Sequence, residues 1–400
     1  MYRIFFRLFF EPMDAERAHD FAVTVLRAVT RPAWTRRLLR RLTAPPDPRL
    51  RVRALGHTFP GPLGVAAGMD KDGTSVRGLW ALGFGYVEVG TITPEPQQGA
   101  EGTRVFRLTA DRAVVNRMGF PNPGAVVAAR RLLAARRLRD DGEPILVGVN
   151  VGKSKDSMLE EAGADYKASV RELAPLSDYL VINVSSPNTP GLRKMQAVEL
   201  LRPLIADVRQ ELYDLGVQVP TLVKIGPDLL DDELDSVADL AMELELDGIV
   251  AVNTTVDRSG LTKSPPDEAA VLPGAGVSGA PLKGRSLDVL RRLHARVGNS
   301  LVLVSVGGIE TPDDVWERVL AGATLVQAHT GFMYGGPAWP SKVNRALSRR
   351  VREEGYQSIQ ELVGMAGANS ERNGSSPNGN GSGGLPALGP AAWHGPSRVA

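Results

Sequence analysis

Five asparagines, two lysines and a set of glycine-rich turns in this chain fall at or near the points where short apolar runs break off. Asn150 follows ILVGV, Asn183 follows YLVI and Asn253 follows GIVAV, while Asn188 lies just beyond Asn183 and Asn116 follows AVV. Neutral amides both donate and accept, so such a set suits a planar ring bearing carbonyls and N–H groups. Lys71 and Lys224 supply positive charge for anionic groups. The glycines of Gly307-Gly308 and of His329-Thr330-Gly331 offer bare backbone whose amides a phosphate can approach. Between Asn183 and Asn188, the stretch Val184-Ser185-Ser186-Pro187 is too polar and proline-rich to continue a strand or start a helix. No Asp/Glu pair sits at these ends, which disfavours glycosidase chemistry. Singly, each residue has a plainer explanation: a strand-end Asn caps a helix, a glycine pair makes a tight turn, a lysine is a solvated end. The chemistry gains weight only if one fold aligns them.

Strand-like runs occur at Leu63–Ala67, Tyr86–Gly90, Ile145–Asn150, Tyr179–Val184, Thr221–Ile225, Gly248–Asn253, Leu301–Val306 and Leu325–Ala328. Helical patterns lie between and after them, at about 72–82, 123–139, 156–173, 196–215, 231–245, 284–297, 312–321 and 338–354. Eight strands alternating with eight helices predict an α/β protein, a (β/α)8 TIM barrel. A doubly wound sheet could absorb the same units. Polar or glycine-rich loops after nearly every strand fit one circular rim better than a crevice at a single switch point.

Composition narrows the chemistry. The chain has 400 residues, 43% hydrophobic, enough for a large core, and its net charge of +2 argues against a nucleic-acid binder. There is no cysteine, which excludes disulfides, thiolate-bound zinc, iron–sulfur ligation and a cysteine nucleophile. Five histidines without an HExxH pattern give no expected metal site. No apolar run reaches the ~20 residues of a membrane span.

Residues 1–42 differ from the rest. An aromatic cluster from Ile4 to Phe10 precedes Asp14, which can cap a helix carrying Ala15, Ala18, Phe21, Ala22, Val25, Leu26 and Val29 at helical spacing. After Arg31-Pro32 a second helix sets Trp34, Leu38, Leu39 and Leu42 among Arg36, Arg37, Arg40 and Arg41. Two aromatic-rich, arginine-fringed amphipathic helices suit a bilayer interface; a hairpin packed on the main domain or on a second subunit is the alternative. The prolines of 43–48 mark a linker, Thr103–Val115 reads as a small antiparallel excursion, and 366–400 as a disordered low-complexity tail.

The motifs AAGMDKDG (66–73), EVGTITPEPQ (88–97), NRMGFPN (116–122), GVNVGKSKD (148–156), INVSSPNTPGLR (182–193), VNTT (252–255), VGGI (306–309) and QAHTGFMYGGP (327–337) resemble class 2, quinone-dependent dihydroorotate dehydrogenase. The resemblance runs in order over about 1–355 and leaves the tail uncovered. It implies an FMN-binding barrel over 49–355 that oxidises dihydroorotate to orotate in pyrimidine synthesis. Hydride would pass to FMN and a proton to Ser186, where class 1 enzymes use cysteine. It assigns substrate contacts to Lys71, Asn116, Arg117, Met118, Gly119, Phe120, Asn183, Asn188, Asn253 and Thr254. FMN contacts fall to Ala67, Gly68, Met69, Asp70, Lys71, Thr91, Asn150, Asn183, Lys224, Val252, Gly279, Gly308, His329 and Thr330. His19 and Arg107 match the polar pair at the inner end of a quinone tunnel whose mouth the N-terminal helices would form. The implied protein is a monomer, peripheral on the cytoplasmic face of the cell membrane. His329 stands where many relatives have Tyr, and its backbone is expected to make the phosphate contact. A dihydrouridine-type flavin reductase is disfavoured by the missing cysteine acid. A catalytically silent barrel on the membrane remains the alternative from another class.

Overall fold

A computed structural model describes residues 2–44, 47–137 and 145–366. Part of the expected linker, Pro45-Pro46, and residues 367–400 of the expected tail lie outside the described residues. Eight parallel strands close into a barrel: β1 (Leu63–Asp70), β2 (Tyr86–Ile92), β3 (Leu146–Val151), β4 (Tyr179–Asn183), β5 (Thr221–Ile225), β6 (Gly248–Ala251), β7 (Val302–Val306) and β8 (Leu325–Ala328). Each pairs with its neighbours in chain order, and β8 returns to β1. A helix follows each strand and packs outside, so the strands are buried on both faces, as their continuous Val/Leu/Ile runs require.

Large rings fill the lower barrel. Tyr86 and Tyr179 meet edge to face at 6.2 Å, and Phe59, from the short hairpin Val52–Ala54/His57–Phe59, packs 5.1 Å from Tyr86 at the strands' N-terminal end. Glycines make the room: a Cβ on Gly64 would come within 2.3 Å of the Tyr86 ring, and one on Gly148 within 2.0 Å of the Tyr179 ring. Register then sets the polar strand ends level, with Asn183 beside Lys224 and Asn150 beside Gly90.

Two helices begin later than their periodicity predicts, for a shared reason. Residues 72–75 wrap the Asp70 carboxylate, which accepts from the N–H groups of Thr74 (3.0 Å) and Ser75 (2.7 Å), so that helix starts at Val76. Residues 153–161 are drawn into a loop by Asp165, which accepts from Ser154 N, and by the buried Lys153 ammonium, which donates to the carbonyls of Ser154 and Ser157; that helix starts at Ala162. Backbone N–H groups taken by a carboxylate are not available to a helix.

The excursion after β2 forms as two antiparallel strands, Val105–Leu108 and Ala113–Asn116. A third strand, Gly276–Gly279, pairs with Ala113–Asn116 and covers a small satellite core of Leu108, Val115, Leu261 and Val277. This strand reads as a loop in the sequence because its four residues begin and end in glycine.

At the N-terminus, Asp14 caps the helix Ala15–Thr30, accepting from Glu16 N and Arg17 N, and Ala33–Thr43 forms the second helix. The arginines are not all a fringe. Arg36 and Arg40 are buried: Arg36 donates to the carbonyls of Thr30 and Arg31, and Arg40 donates to those of Trp80 and Phe84 (2.9 Å each) while stacking over the Trp80 ring at 4.5 Å. Fixed donors and a flat cation on an aromatic face fasten this helix to the barrel wall. The opposite faces leave Phe21, Val25, Val29, Trp34, Leu38 and Leu42 exposed.

Candidate active site

The C-terminal ends of the strands, the three-stranded sheet and the first turns of the helix Ala15–Thr30 enclose one large cavity. Most of the residues expected at a site face it: Ala67, Gly68, Lys71, Thr91, Asn116, Met118, Gly119, Phe120, Asn183, Ser186, Asn188, Lys224, Val252, Asn253, Thr254, Gly279, Gly308, His329, Thr330 and, from the N-terminal helix, His19.

Its floor is a connected polar network. Glu88 lies inside the barrel with no exposure, and its carboxylate accepts from Asn150 Nδ2 (2.9 Å), Gln327 Nε2 (2.6 Å) and Lys224 Nζ (3.3 Å). Asn150 Oδ1 in turn accepts from Thr91 Oγ1 (2.6 Å) and Asn183 Nδ2 (3.0 Å). Asn183 Oδ1 accepts from Ser185 Oγ (2.9 Å), which accepts from Asn253 Nδ2 (2.9 Å). Each amide's orientation is thereby dictated by its neighbour, the condition under which buried polar groups become rigid.

The loop after β4 is held at its ends. Tyr166 donates to Asn183 O (2.7 Å), and Arg193 donates to Ser185 O and to Thr254 O while pairing with Asp228 at 2.6 Å. Between these anchors Ser186 Oγ accepts from Asn188 N (3.2 Å), and Asn188 Nδ2 donates across the cavity wall to Asn116 Oδ1 (3.2 Å). Among the described residues Asn188 Oδ1 is buried with no hydrogen-bond partner, as is Gln327 Oε1 in the floor. On the far side, Gly279, Gly307 and Gly308 have positive φ, and a Cβ on Gly308 would lie 2.4 Å from Lys283 Cα. Ser278 Oγ and Thr330 Oγ1 share a hydrogen bond (2.8 Å) beside them.

The cavity's third side carries the basic groups. Burial holds the His19 imidazole down at about 3 and the His329 imidazole at about 4, with the Lys71 ammonium pushing both further down. Burial also lowers Lys71, against the pull of Glu16, Asp20 and Asp72. The His329 side chain itself faces the cavity beside Gly68, so its presence there extends beyond the backbone contact expected of it.

Five expected residues stand off the cavity. Met69 is buried in the core, and Asp70 is engaged by the N–H groups of Thr74 and Ser75. Asn150 lies one layer below, acting through Thr91 and Asn183. Arg117 is exposed and turns to the Pro273 carbonyl. Arg107 donates to the carbonyls of Glu11 and Met13, tying the N-terminal segment to the sheet instead of joining His19 at the cavity. Sequence reasoning missed Glu88, Gln327, Ser185 and Arg193. The signal for the first two was a charged or amide residue inside an otherwise apolar strand, YVEVG and LVQA.

The family pattern for dihydroorotate dehydrogenase matches residues 49–351. The chain is 54% identical over 368 residues to the dihydroorotate dehydrogenase (quinone) of Thermobifida fusca, covering 91% of this chain and 96% of that one. It is also 54% identical to the protein of that name from Rhodococcus opacus, covering 92% and 99%. The ligand-free DHODH crystal structure from Eimeria tenella superposes with a TM-score of 0.81 at 35% identity, covering 88% of this chain and 99% of that one. On these matches and on the barrel that carries the site, the chain belongs to the dihydroorotate dehydrogenase family, in its quinone-dependent class 2.

Proposed function

We propose that this chain oxidises (S)-dihydroorotate to orotate with FMN in the cavity and a quinone as the final electron acceptor. One observation carries the reading: a wall of fixed asparagine amides faces a bare-glycine cradle across a single cavity, with Ser186 on the loop between. The residues fit FMN. A phosphate suits the Gly279–Gly308 side, where side chains would close the approach, and the unpartnered oxygens of Gln327 and Asn188 await N–H donors. When bound, FMN supplies the two-electron acceptor, taking a hydride from dihydroorotate C6 and yielding the electrons to quinone.

The chain's own groups do the rest. Asn116, Asn188 and Asn253 hold the ring of the substrate by its amide edges, and Lys71 meets its carboxylate. Ser186 takes the C5 proton. A serine hydroxyl is a weak base: to take the C5 proton it must pass its own hydroxyl proton on to water, and the N–H of Asn188 donated to its Oγ favours the oxygen as that proton leaves. His19 and His329, held neutral, keep the cavity's third side free of added charge, as an uncharged quinone ring requires.

The same reading places the protein peripherally on the cytoplasmic membrane face, as a monomer. The helix Ala15–Thr30 lines the cavity with Ala15 and His19 and exposes Phe21, Val25 and Val29, a route from an apolar phase to the site. Among the described residues no helix is long and apolar enough to cross a membrane. The test is optical: dihydroorotate should bleach the yellow of the flavin-loaded protein, and a short-chain quinone should restore it. Protein that stays yellow with dihydroorotate overturns the substrate; bleached protein that quinone fails to reoxidise overturns the acceptor.

A further inference from the structure

We propose that Glu88 is a positioning residue for electron transfer: from beneath the cavity its carboxylate pairs with the Lys224 ammonium and aims it at the cavity floor. The inference rests on the cavity being the flavin site. Lys224 is 4% exposed, and Glu88 Oε1, at 3.3 Å, is its one hydrogen-bond partner among the described residues. Glu88 itself is fully enclosed, yet both its oxygens are committed, Oε1 to Asn150 on β3 and Oε2 to Gln327 on β8. The carboxylate is therefore fixed by neutral amides from two other strands at 2.6–2.9 Å, and the lysine from β5 attaches at longer range. That order of distances leaves the remaining ammonium hydrogens for the cavity, which Lys224 lines and Glu88 does not.

The layers below explain why a carboxylate is needed. Tyr86 and Tyr179 fill the barrel under Glu88, both with hydroxyls driven well above their ordinary range by burial and by the Glu88 charge, so neither can serve as counter-ion to Lys224. Above, the charge of Lys224 bears on His329, which is held neutral and offers no negative charge. The Glu88 carboxylate is the counter-charge that a buried ammonium requires. A fixed positive charge facing the cavity raises the electron affinity of a ring system seated there.

The sign of the effect separates this role from others. Removing a negative charge near a ring, with Lys224 still protonated, would make reduction easier. Removing the counter-ion that holds the Lys224 ammonium in place makes it harder. The experiment measures the midpoint potential and the FMN dissociation constant of the full-length flavin-loaded protein, as wild type, Glu88→Gln, Lys224→Met and the double variant. Glu88→Gln is expected to lower the potential by at least ~30 mV, the two-electron equivalent of a tenfold change in the reduction equilibrium, with FMN affinity changed less than tenfold. On the Lys224→Met background the same substitution should leave the potential within that tenfold limit, because the residue through which Glu88 acts is gone. Should Glu88→Gln fail to fold because it strands a buried charge, the double variant, which strands none, is compared directly with Lys224→Met, and a difference beyond tenfold overturns the inference. A Glu88→Gln protein with unchanged or raised potential overturns it as well. Wild-type protein that takes up no FMN overturns the flavin reading, and this inference with it.

Discussion

The barrel top and the N-terminal helices break the ordinary rule of burial in opposite senses. Inside the barrel, Glu88, Lys224, Asn150 and Asn183 are removed from water. On the helices, Phe21, Val25, Trp34 and Leu38 are each about half or more exposed. A buried charge costs several kcal/mol unless it is paired, and exposed apolar rings forgo about 1.5–3 kcal/mol each that burial would provide. The barrel answers its cost internally, because every buried polar side chain of the floor network has at least one partner. The helices do not: among the described residues nothing covers their outer face. One region is thus fixed by its own hydrogen bonds, and the other leaves an apolar face open, which the proposed function assigns to a lipid surface.

The largest effect expected from breaking that contrast lies at the loop over the rigid region. Among the described residues the Ser186 side chain has one hydrogen bond, from Asn188 N, so Ser186→Ala removes the proposed proton acceptor and leaves the floor network intact. Flavin reduction by dihydroorotate should slow by about 10²–10⁴-fold, the usual worth of a placed base, while orotate still perturbs the flavin spectrum. Stopped-flow bleaching checks both; reduction within threefold of wild type would remove Ser186 from the role.

The second effect tests the seam between the regions. Arg40 is the buried cation by which the outward-facing helix grips the barrel, through the Trp80 and Phe84 carbonyls and the Trp80 ring. Arg40→Leu keeps most of the volume, orphans the Phe84 carbonyl and leaves the Trp80 carbonyl only the N–H of Gly83, and should destabilise by about 1–3 kcal/mol in urea unfolding. The exposed Arg27, by contrast, should change stability by less than ~0.5 kcal/mol when replaced by Leu. Equal effects at the two positions would show that the helix is not fastened at Arg40.

The third is a pH effect on the imidazoles between the regions. His329 falls to about 4 in the folded protein against 6.5 when free, so between these values the unfolded chain binds more protons. Folding therefore carries no penalty from His329 above pH 6.5 and a growing one as the pH drops toward 4. At pH 5 the penalty is at most about 2 kcal/mol. His329→Phe should flatten the decline in the urea midpoint between pH 7.5 and pH 5, and an identical decline in both proteins would refute the assignment.

How much of this was legible in the sequence follows the same division. The eight strands were visible because each is a continuous apolar run, and their polar ends were visible because Asn and Gly interrupt such runs so abruptly. Glu88 and Gln327 were passed over because an apolar strand tolerates one polar residue in the reading, and only closure of the barrel brings residues 88, 150, 224 and 327 together. The outward apolar stripe 34/38/42 was legible from its spacing, but the inward pair Arg36/Arg40 was read as part of a fringe. Nothing in the local pattern tells a buried arginine from a solvated one; the Trp80 and Phe84 carbonyls that make the difference lie some forty residues away. The partners of Arg107, the Glu11 and Met13 carbonyls, were likewise not legible in its local pattern.

The smallest expected effect is the one that tests the outer face alone. Trp34 and Leu38 are exposed and one helical turn apart, and neither lines the cavity. Replacing both with Ser removes apolar area without touching the Arg36 and Arg40 anchors, so thermal stability should stay within about 0.5 kcal/mol of wild type. If the face lies in a lipid interface, each side chain contributes about 1–2 kcal/mol there, and the double variant should bind phosphatidylglycerol-containing vesicles at least tenfold more weakly in sedimentation. Turnover with a long-chain quinone in those vesicles should fall in parallel, while flavin bleaching by dihydroorotate stays at the wild-type rate, because the floor and the Ser186 loop are unchanged. Wild-type vesicle binding by the double variant would assign the outer face to something other than lipid and leave the rigid region's chemistry standing on its own.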